Sequence, residues 1–306
     1  MVASAPQVFQ GSFLIGLVIN IFLHGLATTQ VYLYLTIYKK DRFWLKSLIV
    51  ILYLVDTFNC VVSIYYIYDA LVTNFGDEAN LTSGSWAFAA GTVSTGAVSV
   101  AVQHFFSWRV YMLTNNAFIM VAIVLCSLAN LAGSLGVAVG LAISPGDFRH
   151  SDLQIEITVW LVGAVLADTI IAVSLGWHLG RHKHLYPALN SIINRILRMT
   201  VQTGVVTTIV AIINLACYLT DNLNTYMVFS IIVSKLYLNC MLSTLNARGT
   251  WRYDGSSEDG ISHVRSSHPE VIVFQAQSTQ SEVSVHVESH EMTDTDDKSS
   301  HSKRYI

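Results

Sequence analysis

Charge is scarce in this sequence. Only 12% of its 306 residues are Asp, Glu, Lys or Arg, against 53% hydrophobic ones; a soluble globular domain carries about 25% charged residues. That shortage argues against a soluble fold and, with a net charge of −3, against a basic nucleic-acid-binding surface. The N-terminus, MVASAPQVFQGS, has no basic region ahead of its first apolar run. A cleaved signal peptide is therefore not expected, and that run is expected to be a first membrane span. Cysteine is equally sparse. Cys60, Cys126, Cys217 and Cys240 all fall inside apolar runs rather than in outer loops, so they are expected to pack as small hydrophobes and to form no structural disulfide.

What is abundant is long apolar sequence. A bilayer demands about 20 apolar residues per helical span. Seven segments meet that length: Phe13–Tyr38, Leu45–Tyr68, Trp86–Met112, Ala117–Ile143, Ile157–Gly180, Thr200–Leu219 and Tyr226–Leu245. The expected fold is an all-α integral membrane protein, a seven-transmembrane-helix bundle over residues 1–248. Its orientation follows from the loops. Lys39, Lys40, Arg42, Lys46, Arg109, Arg181, Lys183, Arg195, Arg198, Arg248 and Arg252 cluster on one side. On the other, Arg149 stands alone against Asp69, Asp77, Glu78, Asp147, Asp152 and Asp221. Basic loops face the cytosol, which puts the N-terminus outside and the C-terminus in the cytosol, with the plasma membrane as the expected location. The sequon Asn80-Leu81-Thr82 then falls in an outer loop, making Asn80 a glycosylation candidate.

Residues 249–306 change character to serine, histidine and acidic residues, with no sustained apolar period. Too little apolar surface is available there to offset ordering entropy, so a disordered cytosolic tail is expected, suited either to phosphorylation and docking of cytosolic proteins or to an inert, solvating role. Its histidines, His263, His268, His286, His290 and His301, lack metal-ligand spacing. Residues 189–199 alternate isoleucines with Asn194, Arg195 and Arg198, a basic amphipathic stretch fit for the inner membrane surface or for an extension of the sixth helix. In the fourth span Ala132, Gly136 and Gly140, with Gly133 beside them, give a small-residue stripe for close helix packing within the bundle or between two copies.

Three ionisable residues lie near mid-span: Asp56, Asp168 and Lys235. Intramembrane charge is costly and points into a bundle or a wet cavity, either as a structural ion pair or as a site for a ligand, ion or proton. Lys235, Asn239, Ser243 and Asn246 share one face of the seventh span. Thr92, Thr95, Ser99, Gln103 and Ser107 form a second stripe on the third, with His104 and Arg109 near its end. The candidate ligand-binding set is thus Lys235, Asp56, Asp168, Gln103, Ser99 and Asn239. In a compact bundle the seventh helix closes against the first and second, so Lys235 is expected to pair with Asp56 rather than Asp168.

Two sharper chemistries fit less well. A seventh-span lysine suits a retinal Schiff base, but the third span supplies no carboxylate counter-ion. His178 and His182 stand four apart, yet a zinc site needs three or four converging ligands, and a basic helix end explains these two and His184 better. No catalytic residues, metal or cofactor are assigned.

The segments HGLATTQVYLYLTIYKKDRFWLK, LVDTFN, VQHFFSWRVYML, ADTIIAVSLGWHL, TGVVTT and KLYLNCMLSTLNAR occur in an order that resembles a large fungal group of seven-helix membrane proteins, mostly from mushroom-forming species, the domain of unknown function 6534. The resemblance runs from Gly11 to Arg248 and is most specific in the last segment, where Cys240 and Met241 replace an expected Ser-Leu. The matching positions are Gln30, Asp41, Lys46, Asp56, Gln103, Arg109, Asp168, Lys235, Asn239, Asn246 and Arg248; the resemblance implies a multi-pass membrane protein and assigns none of them a role. The topology is also similar to that of G-protein-coupled receptors, without their Asp/Glu-Arg-Tyr, NPxxY or outer-loop cysteine pair. The expected function is a receptor-like sensor, not an enzyme, binding a small hydrophobic or lipid-like ligand between its helices, with membrane lipid around it. A transporter or channel using Asp56, Asp168 and Lys235 is the alternative, although no inverted repeat or broken helix pair supports it. A membrane-embedded enzyme comes third.

Overall fold

The computed structural model describes residues 5–75, 85–143, 151–181, 190–220 and 225–248. All belong to one compact unit. Asn80, His182, His184 and the tail, 249–306, lie outside the described residues. The described chain forms seven α-helices: α1 (Ala5–Ile37), α2 (Phe43–Tyr68), α3 (Trp86–Thr114), α4 (Ala117–Ile143), α5 (Ser151–Arg181), α6 (Asn190–Thr220) and α7 (Tyr226–Asn246). A π-helical turn, Asp69–Thr73, prolongs α2.

Each helix follows an apolar run, and local chemistry sets its ends. The Ser85 hydroxyl accepts from the Ala87 amide at 3.3 Å and caps the start of α3. Asn115 ends that helix in the left-handed region (φ 50°), its amide returning to the Tyr111 carbonyl at 2.8 Å. Asn116 follows, its carboxamide oxygen accepting from the Phe118 amide at 3.0 Å, and so opens α4. Two asparagines thereby reverse the chain.

Six of the helices are long and apolar enough to cross a membrane; α3 is not among them, because Thr92, Ser94, Thr95, Ser99, Gln103 and Ser107 dilute its hydropathy. All six of those polar side chains are buried. Many large apolar side chains face outward instead, among them Phe22, Leu54, Phe118, Leu125, Val173 and Trp177. Exposed apolar surface on that scale fits a lipid surround, and the protein is a multi-pass integral membrane protein.

Neighbouring helices in sequence are neighbours in space, and α7 returns to pack on α1 and α2. α3 runs through the interior, touching α2, α4, α5 and α7. The closest approach joins α4 and α5, with glycines on both sides. A Cβ on Gly163 would lie 2.7 Å from the Asn130 amide nitrogen, and one on Gly133 would strike the Trp160 backbone. Gly136 and Gly140 face Glu156 and Leu153 of α5. The three glycines of the α4 stripe thus pack within the bundle, while Ala132 is exposed.

Among the described residues three apolar clusters fill the interior. One holds Ala27, Tyr34, Leu52, Val102, Leu238 and Met241, toward the α1–α2 loop. A second holds Phe13, Leu17, Val62, Tyr66, Ala87 and Met227, toward the opposite end. The third, Val137, Leu141, Leu153, Ile157 and Leu161, joins α4 to α5. Along α1, α2 and α7 the stretch between the first two clusters carries polar residues: Asn20 and His24, Asp56 and Asn59, Ser230, Ser234 and Lys235. Lipid tails give helices no hydrophobic reason to associate, so such interhelical hydrogen bonds and close packing hold a bundle together.

Some helices begin earlier than their apolar runs. α6 includes the basic amphipathic stretch, from Asn190. α5 starts at Ser151, which brings Glu156 inside a membrane-length helix, Leu153–His178.

Candidate functional site

The polar layer divides into two groups on opposite sides of α7. In the first, the Lys235 ammonium lies 2.8 Å from Asp56 Oδ1, and neither side chain is exposed. It also donates to the Asp56 backbone carbonyl at 2.6 Å and, at a longer 3.4 Å, to Asn59 Oδ1. The ammonium thus makes one ion-pair contact and two hydrogen bonds to oxygens of α2, while Asp56 Oδ1 itself accepts no hydrogen bond among the described residues. The other carboxylate oxygen of Asp56 sits 3.1 Å from His24 Nδ1 on α1. The His24 ring stacks on Tyr53 with centroids 5.5 Å apart. The neutral Nδ1–H tautomer of His24 would donate to Asp56 and leave the His24–Asp56–Lys235 group without net charge. That balance, plus the contacts to each charged group, is what makes an ion pair tolerable away from water.

Asn59 extends the group to α3. Its amide nitrogen donates to the Gly91 carbonyl at 2.9 Å, to Ser94 Oγ at 2.9 Å and to Thr95 Oγ1 at 3.1 Å. The α3 hydroxyls spend their own protons on their helix: Thr92 on Phe88, Thr95 on Gly91 and Ser99 on Gly96. Toward neighbouring helices Thr95 and Ser99 therefore act as acceptors, which carboxamides then use.

The second group centres on Asp168 of α5. Tyr237 donates its hydroxyl to Asp168 Oδ2 at 2.6 Å, and Gln103 Nε2 donates to Oδ1 at 3.0 Å. Asn130 of α4 donates to Gln103 Oε1 at 3.3 Å and to Ser99 Oγ at 3.2 Å. All five side chains are buried, and no cation lies within ion-pair distance of Asp168 among the described residues. Asn130 Oδ1 is buried without a hydrogen-bond partner. A small cavity of about 20 Å³ adjoins it, lined by Ser99, Asn130, Asn214, Ser230 and Tyr237, which suffices for one water molecule.

The larger interior cavity, about 50 Å³, lies at the end of the bundle away from the α1–α2 loop. Phe13, Tyr66, Phe88, Trp160, Tyr226 and Met227 wall it, and Asn59, Ser63, Thr92 and Thr95 supply its polar surface. Trp160 and Ser230 line both cavities, so the two adjoin.

The sequence-predicted residues are placed as follows. Lys235 meets Asp56, the partner expected from helix order. Asp168 meets Gln103, and Ser99 joins them through Asn130. Asn239 turns away from the interior: it donates to the Leu23 carbonyl at 3.0 Å and accepts from Gln30 at 3.2 Å, holding α7 to α1. Asn246 and Asn20 do likewise, to the Gln30 and Ile231 carbonyls at 2.9 and 2.8 Å. The shared face of Lys235, Asn239 and Asn246 is thus largely a helix seam. Among the six, only Ser99 borders a cavity. Asn59, Asn130, Tyr237 and His24 complete the groups. Asn59 was legible as the residue one turn beyond Asp56, whereas nothing distinguishes Tyr237 from other tyrosines in apolar runs. His178 is half-buried near the end of α5, and no three His, Cys, Asp or Glu side chains converge on a metal-sized site among the described residues. The four cysteines are free thiols.

At the α1–α2 loop, Arg248 contacts Asp41 Oδ2 at 2.7 Å and Tyr34 donates to the same oxygen at 2.7 Å. Burial pushes the Asp41 carboxyl upward, but the bonds from Tyr34 and Arg248 and the charges of Arg248 and Lys46 outweigh it, leaving Asp41 below its ordinary value.

A family of unknown function (DUF6534) matches residues 164–250, from the middle of α5 through α7. This stretch carries Asp168, Lys235, Tyr237, Asn239, Asn246 and Arg248, hence Lys235 of the first polar group and both Asp168 and Tyr237 of the second. No curated protein and no solved structure matches the chain.

Proposed function

We propose that this chain, a member of that family of unknown function, is a receptor-like seven-span protein that binds a small hydrophobic or lipid-like ligand inside its bundle. In this reading α3 is the seventh span, polar inward and apolar outward. The basic α1–α2 loop faces the cytosol, as does the tail, which is free to dock cytosolic proteins. The cavity then opens toward the outside, the side of Asn80.

The observation that carries this reading is Asn59. It lines the cavity and also bonds to Lys235 and to Ser94 and Thr95 of α3. A ligand hydroxyl or carbonyl reaching Asn59 competes for a carboxamide that ties α2, α3 and α7 together. At about 50 Å³ the cavity is well below the 300–1,000 Å³ of sites for drug-sized ligands. Ligand entry therefore requires side chains such as Phe88 and Met227 to move, so the filled and empty states differ. A difference between states is what a sensor needs. Lys235, Asp56, Asp168, Gln103, Ser99 and Asn239 respond to the ligand from behind its contact surface.

The test uses Gly91, which lines the cavity and where an added Cβ would meet nothing within 4 Å. A photoactivatable octanol should label cavity-lining peptides of the purified protein, and Gly91→Leu, which fills the space, should remove that label while leaving the elution profile unchanged. Labelling unaffected by Gly91→Leu defeats the proposal.

The adjoining cavities favour one second reading, a transporter or channel with a polar route from the outer cavity to Tyr237 and Asp168. Ion or proton flux in proteoliposomes, lost in Asp168→Asn, would favour it over a sensor. A membrane-embedded enzyme has no comparable observation behind it.

A further inference from the structure

Outside the bundle interior, between the first turns of α2 and the last turns of α3, lies a groove of about 900 Å³. We propose that it is a binding site for an anionic glycerophospholipid. The groove is graded in polarity. At its mouth stands Arg42, exposed and, among the described residues, without a side-chain partner, next to the exposed Lys39 and Lys40. Next come Trp44 and Trp108, packed edge-to-face with centroids 5.6 Å apart, and Phe105 at 6.2 Å from Trp108. Deeper in, Leu48, Ile51 and Ala101 form a mainly apolar floor, with Ser47 and His104 at its sides.

That order matches a phospholipid: an anionic headgroup against the cations, the glycerol region at the tryptophans, which favour the membrane–water interface, and an acyl chain along the floor. The first turn of α2 adds to the field at the mouth, since its N-cap residue Arg42 makes no side-chain cap bond. Charge complementarity selects among lipids. Any lipid can fill an apolar groove, but only a net-negative headgroup gains from Arg42, the cation that lines it; Lys39 and Lys40 lie beyond the lining. A second surface groove, with Leu113, Thr114, Ile119, Val173, Trp177 and His178 in its walls, is lined by no Lys or Arg among the described residues, and no anionic preference follows from that lining.

The experiment is native mass spectrometry of the full-length, detergent-purified protein titrated with phosphatidylglycerol or phosphatidylcholine of the same acyl chains. Phosphatidylglycerol should bind more tightly. Arg42→Gln should weaken it about five-fold, the size of one basic contact near an anionic membrane surface, and bring it close to phosphatidylcholine. Arg42→Lys should keep most of the preference. Trp108→Ala should weaken both lipids alike. The Lys39→Gln/Lys40→Gln double variant should change the preference by less than two-fold. Equal binding of the two lipids by the unaltered protein overturns the proposal. So does a double lysine variant as damaging as Arg42→Gln, which would indicate a diffuse surface potential. Full displacement of phosphatidylglycerol by soluble glycerol phosphate would show an anion site that ignores the groove, and displacement by a sterol would show a groove that ignores the charge; either result also overturns it.

Discussion

The ammonium of Lys235 on α7 lies 2.8 Å from the carboxylate of Asp56 on α2, with both side chains fully buried. Each charge is satisfied only through the other and through Asn59, His24 and one backbone carbonyl. Removing one member strands the other. Lys235→Met or Asp56→Asn alone should each cost on the order of 3–5 kcal/mol of bundle stability, and the double variant less than the sum. Thermal unfolding in detergent across the four proteins of the cycle reads this directly. Additive losses would mean the two residues are uncoupled.

The glycines of α4 and α5 make a graded prediction. At Gly163 an added methyl meets backbone atoms, the Asn130 nitrogen at 2.7 Å and the Cys126 oxygen at 2.9 Å, which cannot swing away. Gly163→Ala should therefore cost about 1–3 kcal/mol. At Gly136 the nearest atom is Cγ of Glu156, a flexible side chain at 2.7 Å, and Gly136→Ala should cost clearly less. Gly25→Ala, in open space on α1, should be neutral or stabilising by up to about 1 kcal/mol. Melting temperatures in one detergent should follow that order; a Gly163→Ala protein as stable as the parent would contradict the packing described.

Asp41 links the α1–α2 loop to the end of α7 through Arg248 and Tyr34. Its carboxyl is held below the ordinary 3.8. A lowered carboxylate contributes stability that is present above 3.8 and is lost as the pH falls through the lower folded value. Asp41→Asn should thus reduce stability at neutral pH, by about 1 kcal/mol given the partial exposure of both partners. It should also remove one component of acid destabilisation below pH 4. Melting curves from pH 7 to pH 3 for both proteins test this: their difference should shrink toward acid, and a constant difference would refute it.

Helix number and the choice of Asp56 over Asp168 as the partner of Lys235 were legible in the sequence because both follow from rules of depth and order. Apolar runs of membrane length mark spans, and a closed ring of helices puts the seventh beside the second. The interior arrangement was less legible. Asn239 shares a helical face with Lys235, yet it bonds to the α1 backbone, because a carboxamide can satisfy a main-chain carbonyl across a close helix seam whereas an ammonium is drawn to a carboxylate. Tyr237 and Asn130 gave no signal, since one tyrosine or asparagine in an apolar run looks like any other until its neighbours are known. The early start of α5 was obscured by Asp152 and Glu156, whose charge ends an apolar run without ending a helix. The cavity depends on how aromatic side chains from five helices leave space, which no single-chain periodicity encodes.

Asp168 offers the sharpest contrast with Asp56. It lies at similar depth, but its partners are the neutral donors Tyr237 and Gln103, at 2.6 and 3.0 Å. Asp168→Asn preserves shape and its carboxamide oxygen can still accept from Tyr237, but its NH2 then faces the Gln103 Nε2 donor, so it should cost about 1–3 kcal/mol. Tyr237→Phe removes one of the two donors to a buried carboxyl among the described residues and should cost about 1–3 kcal/mol. In the Asp168→Asn background the same tyrosine change should cost less, since the carboxylate acceptor it is matched to has gone. Lys235→Met and Asp168→Asn, by contrast, should simply add, because no hydrogen bond or ion pair joins Lys235 to Asp168. Coupling between Tyr237 and Asp168, with none between Lys235 and Asp168, would establish two separate polar groups across α7. A strong Lys235–Asp168 coupling would instead mean that the lysine reaches across the bundle in the folded protein.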